Sequence, residues 1–340
     1  MRTAIMGTGS LGTILGAYIT KAGKQVDLID VNEEHVKALN EKGAHVIGTV
    51  DFTVPVKACT PDQMEGEYDL ILFMVKQTYN DSATKALEGH IHDKTIICTL
   101  QNGLPEDALI DIYGPERVMG CTVSWGATWQ GPGVSELTSE PNSMSFDLGR
   151  PDGKITPEME QVKDILECMC PTHLLENLMG IRWSKLFINA TFSGMSACLG
   201  CTFGEVVETD KGTECVKYIG NELFTICDAA GIKMEKISGV DVVTLLRLDT
   251  PEKLKSTTAA YRFMIQAHKL LKASMLQDLE KGRKTEIDAI NGAVVAAGKR
   301  VGVPTPMNDK VVEIVHAEED GKLKPQMSNL DLFTIPTITF

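Results

Sequence analysis

A lysine, an amide and a hydroxyl interrupt an otherwise apolar stretch of the chain. Lys185, Asn189 and Ser193 recur at every fourth position between Trp183 and Leu199, where most other residues are apolar. In a helix this spacing places the three side chains on one face. An ammonium group among apolar residues loses solvation, so we expect its pKa to fall and Lys185 to act as a general acid. A single polar residue would be only a satisfied core group, whereas three stacked ones predict the wall of a polar pocket.

A glycine pattern near the N-terminus has the form of a phosphate-binding turn. Gly7-Thr8-Gly9-Ser10-Leu11-Gly12 follows a short apolar run directly and opens a helical pattern. The first glycine allows a tight turn, Gly9 lets the backbone approach a pyrophosphate, and Gly12 lets helix and strand pack closely. The first N–H groups of the helix would then bind the phosphates. A tight turn without a ligand is the alternative, and the strand–turn–helix context makes it the weaker one.

An acidic residue stands at the end of the second strand pattern. At Asp30 a carboxylate would accept hydrogen bonds from the adenosine ribose and repel a 2′-phosphate. No Arg or Lys occurs between Asp30 and Lys37 to bind that phosphate. NADH is therefore favoured over NADPH, although Asp30 could instead cap the next helix, or do both.

Two further polar positions follow strand patterns directly. Lys76 comes after the run 69–75, and Gln101-Asn102-Gly103 comes after the run 95–100. Ligands of open α/β sheets bind outside the carboxyl ends of the strands, so Lys76 and Asn102 are candidates for contacts with a nicotinamide and its substrate. By position alone Lys76 could equally be a solvated lysine, and Asn102 could simply form a turn.

The segment after residue 270 carries a second polar group of interest. Ser274-Met275-Leu276-Gln277-Asp278 leads through Gly282 to Thr285-Glu286-Ile287-Asp288. Thr285 and Asp288 fit a capping box, which would put Glu286 in the first turn of a helix. Spacing alone gives Glu286 no catalytic role, because an acid in a first turn also stabilises the helix dipole.

Two kinds of pattern divide the chain near residue 175. Strand patterns alternate with helix patterns in the first half, and Trp125–Ser145 is typical of loops or short antiparallel strands at a mixed sheet edge. Helical patterns dominate the second half, at Asn177–Leu199, Lys211–Ala230, Glu252–Leu271, Ser274–Lys281 and Glu286–Val301. We therefore predict an α/β Rossmann-type dinucleotide-binding domain over 1–175 and an all-α substrate domain over 176–340. Its tail from Gly321 has no helical period, and Leu330–Phe340 should pack on the body or on a partner subunit.

Composition excludes several classes of partner. The 340 residues carry a formal net charge of −13 without a basic tract, which argues against nucleic acid and anionic membranes. The nine cysteines lack the spacing of a zinc site, so we expect reduced, mostly buried thiols and no metal. The longest apolar stretch, Leu70–Val75, is too short to span a bilayer. We expect a soluble, cytoplasmic protein with a small-molecule substrate.

The ordered motifs resemble those of the ketopantoate reductase (2-dehydropantoate 2-reductase) family. The resemblance extends from residue 1 to about residue 315 and rests on the glycine turn, Lys76, Gln101-Asn102-Gly103, Trp183-Ser184-Lys185-Leu186 with Asn189, and the two motifs around Ser274 and Glu286. It implies a two-domain NAD(P)H-dependent enzyme that reduces ketopantoate to pantoate, on the route to pantothenate and coenzyme A. Helical second domains of this kind often pair, so a homodimer is expected by analogy.

The resemblance also implies roles for individual residues. Lys185 would protonate the developing alkoxide, Asn102 and Asn189 would hold the substrate, and Ser274 would bind its carboxylate. Glu286 would hydrogen-bond substrate or catalytic groups, and Lys76 would contact cofactor or substrate.

Three departures from the family pattern bear on specificity. Asp30-Val31 stands where members commonly carry a basic residue for the 2′-phosphate of NADPH. Ser193 replaces a substrate-contacting asparagine of many members, and Leu271 replaces one of some members. Lost donors change the preference of a hydrogen-bonding pocket sharply. A reductase of a different 2-oxo acid is therefore an alternative, and a non-catalytic dinucleotide sensor is a more distant one.

Overall fold

The computed structural model describes residues 1–237 and 239–338. The chain forms two compact units. The first comprises Met1–Gln101 and Pro105–Leu178, and the second comprises Asn102–Leu104 and Met179–Phe340.

An eight-stranded sheet is the centre of the first unit. Its strands are β1 (Thr3–Met6), β2 (Val26–Ile29), β5 (Lys57–Cys59), β6 (Tyr68–Phe73), β7 (Ile91–Thr99), β8 (Val118–Val123), β11 (Phe146–Gly149) and β12 (Thr172–Leu175). They lie in the order β12-β11-β8-β7-β6-β1-β2-β5. All neighbouring pairs are parallel except β8 and β11, which confirms the predicted mixed edge. The strand order reverses at β1, so the carboxyl ends of β1 and β6 form a topological switch point.

The parallel strands are joined through helices, as the alternating patterns predict. The helices of this unit are α1 (Ser10–Lys21), α2 (Glu33–Lys42), α3 (Asn80–Ala86), α4 (Glu106–Tyr113) and α5 (Pro157–Leu166). α1 is buried on all sides from Gly12 to Ala17, and its apolar side chains belong to the core beside the sheet. The predicted Rossmann-type fold class is therefore confirmed for the N-terminal half.

A second sheet was not expected from the sequence. β3 (Ala44–Gly48), β4 (Phe52–Val54), β9 (Ala127–Gly131) and β10 (Val134–Leu137) form a four-stranded sheet in the order β4-β3-β10-β9. The prediction of loops or short strands over Trp125–Ser145 was right for β9 and β10. β3 and β4 were missed, because polar residues and glycines interrupt the segment 43–54 and leave no continuous apolar run like that of β1.

The second unit is helical, as predicted. Its helices begin with α6 (Leu178–Ile188) and continue with α7 (Gly194–Leu199), α8 (Phe203–Val206), α9 (Asp210–Ala229), α10 (Val242–Leu246), α11 (Pro251–Met264), α12 (Ser274–Glu280), α13 (Asn291–Val301) and α14 (Pro306–Glu319). A π-helical turn, Asn189–Ser193, joins α6 to α7. The single helix predicted over Asn177–Leu199 is therefore three consecutive segments.

The C-terminal tail packs on the helical core, as one of the two predicted alternatives. Met327–Leu332 forms a 3-10 helix, and Leu330 and Phe333 are buried in the core of the second unit. The side-chain amide of Asn329 donates to the carbonyl of Cys198 at 2.9 Å and to the carboxylate of Glu318 at 3.0 Å. The last two residues of the predicted packing segment Leu330–Phe340 lie outside the described residues.

The cysteines are free thiols, and most are buried. Desolvation raises the pKa of the thiols of Cys170, Cys201, Cys215 and Cys227 to about 12. Such thiols stay protonated and are poor nucleophiles. Among the described residues, no helix is both long and apolar enough to cross a membrane.

Candidate active site

The turn after β1 has the geometry that a dinucleotide phosphate requires. Gly7 has a φ of +96°, and a Cβ on it would lie 2.5 Å from the backbone nitrogen of Val75. A Cβ on Gly12 would lie 2.5 Å from the carbonyl oxygen of Gly7. A Cβ on Gly9, by contrast, would meet nothing within 4 Å. Two glycines therefore allow tight packing, and Gly9 leaves the open space through which a phosphate can approach the backbone.

The N-terminus of α1 fits the charge of that ligand. Gly9 is its N-cap and provides no side-chain hydrogen bond, and the first turn holds no acidic residue. The N-termini of α2, α9 and α11 are instead capped by the side chains of Asn32, Thr209 and Thr250. The uncapped N–H groups of a first turn, together with the helix dipole, favour an anion. Ser10 and Leu11 lie in this turn and are partly buried.

Asp30 follows β2 and is not the cap of α2. Its Oδ1 accepts the N–H of Asn32 at 2.9 Å, and Asn32 caps the helix by accepting the N–H of His35 at 3.1 Å. The alternative that Asp30 caps the next helix is therefore wrong, because Asn32 is the N-cap residue and its side chain accepts the third N–H group of the helix. The first basic residue after Asp30 is Lys37, which is largely exposed and pairs with Glu41 at 3.9 Å.

Gln101 connects the chain segments that follow β6 and β7. Its side-chain amide donates to the carbonyl of Val75 at 2.7 Å and to Oδ1 of Asn80 at 2.7 Å. Its Oε1 accepts the hydroxyl of Thr99 at 3.0 Å. The residue after Val75 is Lys76, and the residue after Gln101 is Asn102; both are partly buried. The buried glutamine thereby fixes the backbone from which both candidate side chains project.

In the helical unit, Lys185 lies in α6 and is partly buried. Asn189 and Ser193 begin and end the π-helical turn that follows, the first partly buried and the second 8% exposed. Trp183, Leu186 and Phe187 are almost completely buried, which confirms that the surrounding helix is apolar and internal. The π turn inserts one residue relative to an α-helix, and such insertions are frequent at functional sites.

Two buried asparagines hold the π turn. The side-chain amide of Asn291 donates to the carbonyl of Ala190 at 3.0 Å and to Oδ1 of Asn308 at 2.9 Å. Asn308 in turn donates to Oε2 of Glu222 at 2.7 Å. A Cβ on Gly194 would lie 2.6 Å from Oδ1 of Asn291, so the close approach requires that glycine. The widened turn exposes carbonyl groups that an α-helix would use internally, and Asn291 satisfies one of them.

Ser274 is placed by a neighbouring serine. The hydroxyl of Ser196 in α7 accepts the backbone N–H of Ala273 at 3.3 Å and donates to the carbonyl of Cys201 at 2.6 Å. Ser274 is the next residue, at the start of α12, and is exposed. Leu271, which departs from the family pattern, is also exposed, at 51%.

The capping box predicted around Glu286 is wrong. Thr285 donates its hydroxyl to Oε1 of Glu319 at 2.7 Å and accepts the N–H of Ile287 at 3.1 Å, so it closes a local turn. Glu286 precedes the 3-10 helix Ile287–Ala289, and α13 begins only at Asn291. The buried carboxylate of Glu286 therefore does not stabilise the first turn of an α-helix, which removes the structural explanation that the sequence offered for it.

Sequence analysis missed three residues that support these groups. Gln101 was quoted without a role, and Asn291 and Ser196 were not considered. For Asn291 and Ser196 the signal was a polar residue inside an apolar helical pattern, as at Lys185, and for Gln101 it was a polar residue directly after a strand pattern. That signal shows that a partner must exist but not which one, since the partner of Asn291 lies 101 positions away.

Two family models match most of the chain. The model described as ketopantoate reductase PanE/ApbA matches residues 3–150, and that of its C-terminal domain matches residues 177–319. The chain belongs to the ketopantoate reductase family. Members of the family are NAD(P)-dependent oxidoreductases, so the resemblance inferred from the motifs is confirmed. The matched ranges contain every candidate residue named above.

Named relatives cover the same extent. A 2-dehydropantoate 2-reductase of Streptococcus pyogenes is 32% identical over 325 residues, which cover 94% of this chain and 98% of that protein. The one from Pyrococcus abyssi is 29% identical over 326 residues, or 95% and 100% of the two chains.

Solved structures with this fold include a D-mandelate dehydrogenase and a ketopantoate reductase. D-mandelate dehydrogenase in complex with NADH and anilino(oxo)acetate matches with a TM-score of 0.80 at 27% identity, over 94% of this chain and 99% of that one. A ketopantoate reductase of Ralstonia eutropha matches with a TM-score of 0.80 at 26% identity, over 95% and 99%. Nicotinamide dinucleotides are thus the cofactor class of this family.

Replacement of Asn291 tests whether the π turn serves the reaction of this family member. We expect Asn291→Ala to lower kcat about 10-fold, because the turn that carries Asn189 and Ser193 loses its support. Asn329→Ala is the matched control, since it removes a buried amide bonded to the same helical run at Cys198. Both variants should lose ~1–3 kcal/mol of unfolding free energy. Equal kcat values in the two variants would show that Asn291 only stabilises the fold.

Proposed function

We propose that this protein reduces a 2-oxo acid with NADH, and that the acid is 2-dehydropantoate. The chemistry rests on Lys185, a partly buried ammonium group in an apolar helix, one turn before Asn189. The choice of acid rests on the near full-length similarity to 2-dehydropantoate 2-reductases. The product would be pantoate, on the route to pantothenate and coenzyme A.

The reaction is balanced by one hydride and one proton. The bound dinucleotide supplies the hydride, from C4 of its reduced nicotinamide. Lys185 donates a proton from its ammonium group to the carbonyl oxygen while negative charge develops there. The C=O double bond becomes C–O–H, and solvent returns a proton to Lys185 after the product leaves.

The other candidate residues bind and orient the substrate in this proposal. Asn102 and Asn189 donate amide N–H groups to its oxygens, and Ser274 donates its hydroxyl to the carboxylate. Ser193, at the end of the π turn that begins with Asn189, would offer a hydroxyl donor that is shorter than the amide of asparagine. Glu286 accepts a hydrogen bond from substrate or from a catalytic group, and Lys76 contacts cofactor or substrate.

NADH is the proposed cofactor because of Asp30. A carboxylate at the end of β2 accepts hydrogen bonds from the ribose hydroxyls and repels a 2′-phosphate. The side chain of Lys37, the first cation along the chain, is paired with Glu41. The similar D-mandelate dehydrogenase was also solved with NADH.

A different 2-oxo acid is the second candidate. The structural similarity to D-mandelate dehydrogenase favours an acid with a bulky apolar substituent. Ser193 and Leu271 also favour such an acid, because each offers fewer hydrogen bonds than the asparagine it replaces.

A substrate panel decides between the two acids. We expect NADH oxidation, followed at 340 nm, to be at least ~10-fold more efficient in kcat/KM with 2-dehydropantoate than with phenylglyoxylate or pyruvate, a ratio that differential binding of a few groups provides. Efficient reduction of phenylglyoxylate alone would establish the second candidate. No turnover of any 2-oxo acid with either cofactor would contradict the proposed reaction.

Lys185→Ala tests the general acid. We expect kcat to fall by at least ~100-fold, the usual contribution of such a group. Lys211→Ala is the control, since that half-exposed lysine pairs with Asp331 at 3.8 Å and should keep full activity. A decrease of less than ~3-fold for Lys185→Ala would remove Lys185 from the mechanism.

Asp30→Ala tests the choice of cofactor. The ratio of kcat/KM with NADH to that with NADPH should fall about 10-fold, because a 2′-phosphate no longer meets a carboxylate. Glu34→Ala removes one exposed negative charge from the adjacent first turn of α2 and should leave the ratio within ~2-fold. If Asp30→Ala also leaves it unchanged, Asp30 only orders the turn through the N–H of Asn32.

A further inference from the structure

We propose that His35 is a positioning residue for the dinucleotide phosphates, an inference that rests on the cofactor binding of the proposed function. Its imidazole is completely buried beneath the glycine turn. Nε2 lies 2.7 Å from the carbonyl oxygen of Thr8, and Nδ1 lies 2.9 Å from the backbone nitrogen of Gly133. Both ring nitrogens are therefore bonded to backbone groups of two separate turns.

These two contacts define the tautomer of His35. The backbone N–H of Gly133 can only donate, so Nδ1 must accept with its lone pair. The ring proton is then on Nε2, which donates it to the carbonyl of Thr8. Nε2 also lies 3.2 Å from the hydroxyl oxygen of Thr13. Burial lowers the pKa of His35, which agrees with a neutral ring.

The hydrogen bond from Nε2 fixes the orientation of one peptide group in the glycine turn. The N–H and hydroxyl of Thr8 both donate to the carbonyl of Ile29, at 3.2 and 3.1 Å. Its own carbonyl accepts from His35 and, at 3.1 Å, from the hydroxyl of Thr13. In a planar trans peptide the C=O and the following N–H point in opposite directions. Because the Thr8 carbonyl points into the core, the N–H of the exposed Gly9 points outward, toward the open space above it.

The second sheet holds the imidazole from the other side. Gly133 lies between β9 and β10, and its carbonyl accepts the N–H of His45 in β3 at 2.9 Å. The ring of Trp129 in β9 packs edge-on against His35 with a centroid separation of 4.5 Å. The second sheet, which was not expected from the sequence, thus supports the residue that orients the phosphate-binding backbone.

Three substitutions separate the two hydrogen bonds of the ring. Glutamine places an amide near the position of Nε2 and can donate to Thr8, whereas asparagine reaches only the position of Nδ1. Phenylalanine fills the space without either bond. We expect the Kd for NADH and for ADP-ribose, measured by calorimetry on the full chain, to rise about 10-fold in His35→Asn and His35→Phe. His35→Gln should stay within ~3-fold of wild type.

Controls distinguish this role from loss of stability. Val46 is a residue of β3 in the apolar core that also contains Ile14 and Leu15 of α1. Val46→Ala leaves a cavity in that core, so it should lower Tm while both Kd values stay unchanged. KM for the 2-oxo acid and kcat at saturating NADH should also be unchanged in the His35 variants.

Two results would overturn the inference. One is equal affinity for ADP-ribose in wild type and His35→Phe at a temperature well below the Tm of both. The other is an equal loss of affinity in His35→Gln and His35→Asn, which would assign no importance to the bond with Thr8. The readout is independent of turnover, so tight NADH binding without reduction of any 2-oxo acid would contradict the proposed function and leave this inference standing.

Discussion

A buried backbone carbonyl is costly without a hydrogen-bond partner, and this cost shapes the surroundings of the candidate residues in each unit. An unsatisfied buried group costs ~1–3 kcal/mol, more than most single contacts contribute. The carbonyl of Thr8 is satisfied by His35, and the carbonyl of Ala190 by Asn291. In each case the partner holds a stretch of backbone next to residues that are proposed to bind the ligand.

The two units use this constraint for different purposes. In the first, close backbone packing around Gly7 and Gly12 leaves the amide of Gly9 and the start of α1 open to an anion. In the second, the π turn alters the helix that carries Asn189 and Ser193, and a buried asparagine satisfies one of its carbonyl groups. In the proposed function, binding of the phosphates and positioning of the reacting acid would depend on separate hydrogen-bond networks. Each network can be perturbed alone.

In the proposed function, the choice of substrate would depend on a few side-chain atoms. Serine at position 193, where many family members have asparagine, lacks the amide group. Leu271, at the position where some members have asparagine, is exposed. A pocket that hydrogen-bonds its substrate discriminates strongly through such changes, whereas the proposed proton transfer would depend on Lys185 alone. The same scaffold occurs in a ketopantoate reductase and in a D-mandelate dehydrogenase.

The sequence by itself determined the fold class, the family and the glycine turn, because each depends on residues close together in the chain. Helical period, strand alternation and the spacing of Gly7, Gly9 and Gly12 are local properties. Only the tertiary structure revealed the second sheet, the π turn and the true surroundings of Glu286. Those features depend on partners far apart in sequence, such as Gly133 for His35 and Asn291 for Ala190, and a buried polar residue shows that it needs a partner without indicating which one.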